Sequence, residues 1–163
     1  MAVPVRGQPA EYIIDLGRRL IAELAADELP LFEPIADGFL DRPKAVVNDR
    51  PRPGAALGSG VDTFVALVTP VALLTATAVY QHLVERAGAF TVARTIQFVR
   101  ELRKHRRGDL AIEPSEAGPP ALTPELRAEL TTGTRQLVEE LTHDPDLADR
   151  CAAAVLLLLD GQH

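Results

Sequence analysis

Sulfur and aromatic residues are scarce in this chain. Cys151 is the single cysteine among 163 residues, so no internal disulfide can staple the fold. A reducing compartment is the natural expectation. Tryptophan is absent, and the aromatics are five Phe and two Tyr. The 47% hydrophobic content is therefore carried mostly by Ala, Leu and Val. Ala and Leu are strong helix formers, which favours an all-α fold over a sheet. The first seven residues lack the basic stretch and apolar run of a secretory signal, so no cleaved signal is expected.

Recognisable chemistry is also missing. His82, His105, His143 and His163 show no zinc spacing, and Cys151 has no paired ligand nearby. The stretch 54–60 is glycine-rich but lacks the Lys-Ser/Thr ending of a phosphate loop, and a hinge is the simpler reading. Ser59 lacks the Gly-x-Ser-x-Gly context of an esterase elbow. His143, Asp144, Asp146 and Asp149 fail the calcium-loop pattern, and Asp144 serves better as a helix cap. His82 and Glu85 form the best acid–base pair on offer, without a nucleophile beside them. Cys151 reads as a small buried apolar residue with a raised pKa. The expectation is a non-enzymatic chain without cofactor, metal or small-molecule substrate.

What is present is organisation of charge. The formal total is −6. Residues 1–42 hold four basic and eight acidic groups (−4), 43–108 hold ten and four (+6), and 109–163 hold three and eleven (−8). The basic middle could attract anions, or the acidic ends could screen it in the folded chain.

The chain divides accordingly. Residues 1–42 form an acidic helical region. Pro9 starts a helix running to about Leu29 with Ile13, Leu16, Leu20 and Leu24 as its stripe. Pro30 ends it, and a short segment, 31–40, supplies a satellite core. Residues 43–60 are a Pro/Gly-rich linker. Residues 61–107 join an apolar helix to a basic amphipathic one, in which Phe90, Ala93, Ile96, Val99 and Leu102 recur at three-residue steps. Gly88 marks the break between them. Residues 108–121 are a second linker, and 122–163 are an acidic helical hairpin. Thr123-Pro124 and Asp144-Pro145 start its two helices. Its first stripe is Leu122, Leu126, Leu130, Leu137 and Leu141, with Thr134 filling the missing turn.

The central feature is residues 64–80, seventeen consecutive uncharged residues. A bilayer span needs about twenty, with roughly seventeen as the lower limit. Threonine and proline are tolerated in spanning helices, Tyr80 suits a headgroup layer, and the following basic bias favours a cytoplasmic C-terminal side. The competing reading is a core helix, apolar all round because protein surrounds it. Phe64, Val65, Leu67, Val68, Val71, Leu74, Val79 and Tyr80 are the candidate membrane or partner surface. Arg94, Arg100, Arg103, Lys104, Arg106 and Arg107 are the candidate contacts to an anionic surface. Nucleic acid is a lesser candidate, because phosphate contacts alone carry little sequence specificity.

The order of segments resembles small actinobacterial helical proteins with no established activity. The likeness rests on Glu28-Leu-Pro-Leu-Phe-Glu-Pro-Ile-Ala36, Val65-Ala-Leu-Val-Thr-Pro-Val71 and Asp149-Arg-Cys-Ala-Ala-Ala-Val155. It implies an accessory or effector role in a bacterial multi-protein system, and no catalytic residues. The expected function is a membrane-associated accessory or signalling module on the cytoplasmic side of the inner membrane, single-span. The alternatives are a soluble, cytoplasmic helical adaptor or oligomerising scaffold, and a membrane-perturbing effector. A protein partner or self-association is expected in each case.

Overall fold

Among the described residues, six of the seven α-helices place a proline in their first turn, where its missing N–H leaves nothing unsatisfied. A computed structural model describes residues 9–48, 68–85, 90–107 and 122–161. The helices are α1 (Pro9–Leu24), α2 (Leu29–Asp41), α3 (Pro43–Asn48), α4 (Thr69–Glu85), α5 (Val92–Arg107), α6 (Pro124–Thr142) and α7 (Pro145–Asp160). A 3₁₀ turn, Ala26–Glu28, joins α1 to α2. The described residues are all-helical. Pro9, Pro30, Pro43, Pro70, Pro124 and Pro145 are the first or second residues of their helices.

This pattern corrects three expectations. Pro30 does not end a long first helix: α1 stops at Leu24, and Pro30 opens α2. Pro43 opens the short α3 inside the supposed linker. Pro70 is not internal to an apolar helix but stands at its start. Pro34 does lie within α2, where the bond it forfeits would run to the Pro30 carbonyl.

One core joins the helices. Ile13, Leu16, Leu20 and Ile21 of α1 and Phe32, Ala36, Phe39 and Leu40 of α2 belong to the same buried cluster as α4, α5, α6 and α7. The α2 residues are therefore main core, not a satellite. Gly17 lets α1 approach closely, since a Cβ there would sit 3.1 Å from Leu73 and 3.4 Å from Phe32. Tyr80 stacks between Tyr12 and Phe98 at centroid distances of 5.3 and 6.1 Å, tying α4 to α1 and α5.

The expected membrane-spanning helix is overturned here. No helix among the described residues is long and apolar enough to cross a membrane. From Thr69 to Tyr80 every residue is buried, and α1, α2, α3, α5 and α6 all pack against α4. Those twelve positions span about 18 Å at 1.5 Å per residue, against about 30 Å of hydrocarbon. The single-span location and the membrane-module reading fall with it. The uniform apolarity reflects protein on every side.

The hairpin of α6 and α7 is built as its sequence suggests. The Thr123 hydroxyl accepts from the Leu126 N–H at 3.1 Å, and Asp144 Oδ1 accepts from the Leu147 N–H at 3.1 Å. His143 turns the chain in the left-handed region at φ 55°, and its N–H donates to the Glu139 carbonyl. Leu126, Leu130, Thr134 and Leu137 are fully buried along the inner stripe, with Leu141 8% exposed and Leu122 partly buried. Ion pairs Arg127–Asp160 and Arg135–Asp149 clip the outer edges.

Candidate functional site

The described part of the candidate apolar surface is mostly used up inside the bundle. Val71, Leu74, Val79 and Tyr80 are buried, and Val68 is half-buried at the head of α4. Phe64, Val65 and Leu67 lie outside the described residues, as do Gly88 and the linker stretches 49–60 and 108–121. Among the described residues, the large apolar side chains that remain exposed are Leu29, Val84 and Leu157, each on a different helix.

The basic helix divides cleanly in its described part. Thr95, Ile96, Val99 and Leu102 face the core, while Ala93, Arg94, Gln97, Arg100 and Glu101 are exposed. Ala93 thus departs from the apolar face on which the three-residue step placed it. Arg103, Lys104, Arg106 and Arg107 continue α5, and their side chains lie outside the described residues.

The strongest polar feature was not read from the sequence. Glu28 is buried at 5% exposure between α1 and α2, yet its carboxylate binds the head of α4 forty residues away. The Val68 N–H donates to both oxygens at 3.1 Å. The Thr69 N–H and hydroxyl each donate to Oε1 at 3.0 Å. A helix start exposes unpaired N–H groups and the positive end of the macrodipole, and a carboxylate answers both. The usual cap comes from the residue just before the helix; here a distant glutamate supplies it. Its clue in the sequence was an acid just ahead of an apolar Leu-Pro-Leu run, which also fits an ordinary exposed position.

His82 pairs with Glu129 of α6, while the side chain of Glu85, its expected partner, lies outside the described residues. The His82 Nε2 lies 2.8 Å from Glu129 Oε2, and since a carboxylate only accepts, the ring nitrogen donates. The ring rests on Phe90 at 5.1 Å. Phe90 in turn covers Gly133, where a Cβ would lie 2.6 Å from the phenyl ring. The pair therefore joins the C-terminal part of α4 to α6 across an aromatic seat. No cluster of three metal-ligating side chains occurs among the described residues.

Two buried acids hold their protons. Burial pushes the Cys151 thiol up to about 12, against a partial lowering by Arg150. Burial likewise raises the Tyr12 hydroxyl to about 12, with Tyr80 and Asp15 adding to it. The raised thiol agrees with the apolar setting expected for Cys151. Such a thiol is a poor nucleophile at neutral pH. Two threonine hydroxyls, Thr75 and Thr134, are fully buried with no hydrogen-bond partner among the described residues.

No protein-family model, curated protein or solved structure matches this chain.

Proposed function

We propose that this chain is a non-catalytic helical adaptor or oligomerising scaffold that works through protein–protein contact. The observation that carries the proposal is α4. With Thr69 to Tyr80 enclosed by five neighbouring helices, the chain's most apolar segment is spent on its own core. Contact with other molecules then falls to the exterior, which is helical and strongly charged. The His82–Glu129 pair binds two helices together without a neighbouring nucleophile, which suits a structural role better than acid–base work.

The test uses the full chain in detergent-free buffer. Light scattering across a wide concentration range should show growth from monomer to a defined oligomer. Cross-linking in native cells should trap a protein neighbour. A monomer at every concentration, with no cross-linked protein in cells, would remove the adaptor reading.

A further inference from the structure

We infer that two copies of this chain pair antiparallel along the outer face of α7, Ala153 of each against Leu157 of the other and Arg150 against Asp160. The inference rests on the adaptor reading and names the partner as a second copy. Its basis is the pattern along one helix. α7 packs against α1 and α6, and Cys151, Val155 and Leu159 are buried on that side. From Asp146 to Asp160 the exposed residues are Asp146, Asp149, Arg150, Ala153, Leu157 and Asp160. With 3.6 residues per turn, these six fall within an arc of about 100°. Five of them, at 146, 150, 153, 157 and 160, alternate steps of four and three. That is the seam spacing of two helices lying side by side. At the seam's centre Leu157 is 60% exposed, the most exposed large apolar side chain among the described residues.

A single exposed leucine is ordinary on a protein surface. The charges around this one select its occupant and its direction. Turning a second α7 end for end about the level of residue 155 sets each Ala153 beside the other copy's Leu157, small against large. The same operation brings each Arg150 level with the other copy's Asp160, so opposite charges meet twice. A parallel pair would instead set Arg150 against Arg150 and Asp160 against Asp160, and like charges at both levels oppose it. The antiparallel contact is reciprocal and closed, as two-fold pairs require. Both charged groups have capacity for it. The Arg150 guanidinium carries five N–H donors, one of which bonds the Leu24 carbonyl at 3.1 Å. Asp160 pairs with Arg127 of its own chain, and a carboxylate accepts at about four sites. Arg150 to Asp160 covers about 15 Å of helix, a short seam with exposed ion pairs. The association is therefore weak and salt-dependent.

Sedimentation of the full chain tests this, with circular dichroism confirming that each variant is folded. Leu157→Glu should weaken self-association at least tenfold. Arg150→Asp and Asp160→Arg should each do the same, because each sets like charges together twice. Mixing those two single variants should give a one-to-one heterodimer, and placing both changes in one chain should restore the homodimer. Val84→Glu, on the exposed side of α4, should leave the pairing intact. Self-association that ignores Leu157→Glu and both charge reversals would overturn the pairing while leaving the scaffold reading standing. Loss in both reversals with no recovery on mixing or in the double variant would overturn the antiparallel register. A monomer throughout would also overturn it, and the adaptor reading would then stand or fall on the cross-linking. A photo-cross-linker at position 157 that traps only a different protein in cells would overturn the second copy and give this face to that protein.

Discussion

Replacing Glu28 with alanine removes one acceptor from three donors at once: the Val68 N–H, the Thr69 N–H and the Thr69 hydroxyl. Each loses a charge-assisted bond at a site where Glu28 and Thr69 are both buried. A hydrogen bond to a charged group contributes about 1.5–3 kcal/mol, and the three share one acceptor, so they do not add fully. The expected loss is about 3–5 kcal/mol for Glu28→Ala. Glu28→Gln keeps one carbonyl oxygen but turns an amide toward an N–H, and should lose about 2 kcal/mol. With a urea m-value near 2 kcal/mol/M, the alanine variant should move the midpoint down by about 1.5–2.5 M. Glu33→Ala is the control, since Glu33 is exposed and meets Arg18 at the surface, where such pairs contribute about 0–1 kcal/mol. A Glu28→Gln and Thr69→Val cycle should show coupling between the two positions. A Glu28→Ala variant within about 1 kcal/mol of the parent, or no worse than Glu33→Ala, would refute the distant cap.

Three further outcomes follow from the packing and the buried acids. Gly133→Ala should destabilise by about 1–3 kcal/mol despite alanine's better helix propensity, because the phenyl ring of Phe90 must move. A second change, Phe90→Leu, should recover part of that loss, whereas Gly17→Ala should cost less than Gly133→Ala, because its nearest neighbour, Leu73 Cδ2 at 3.1 Å, need give only slightly. Thr75→Val and Thr134→Val should each raise the melting temperature by a few degrees, since each replaces an unpartnered buried hydroxyl by a methyl of similar shape. Stability should be fully present below pH 9 and fall as pH rises toward 12, because Cys151 and Tyr12 must lose protons that the fold retains. Three pKa units on Cys151 correspond to about 4 kcal/mol at the upper end, and Cys151→Ala should flatten that part of the alkaline slope.

Much of the fold is legible residue by residue. The spacing of Ile13, Leu16 and Leu20 and of Leu126, Leu130, Leu137 and Leu141 identifies buried stripes, because a helix returns to one face every three to four residues. Thr123 and Asp144 announce helix starts, because a side-chain oxygen ahead of proline serves unpaired N–H groups. The prolines are less transparent. Pro30, Pro43 and Pro70 each permit two readings, since proline both stops a preceding helix and starts a following one. At Pro9, Pro124 and Pro145 the neighbouring residues decide; at the other three only the fold does.

Local sequence alone determined an all-helical chain, its hairpin, a basic amphipathic helix and the burial of Cys151. It could not determine what surrounds Val71, Leu74 and Val79, because lipid and a protein interior are equally apolar and select the same residues. Tertiary packing decided that, by wrapping α4 in five helices and by starting it at Thr69. The same holds for the polar contacts. Glu28 meets Thr69 and His82 meets Glu129 across 41 and 47 residues of chain. No periodicity encodes such a distance: the pairing exists only once the helices have been brought together.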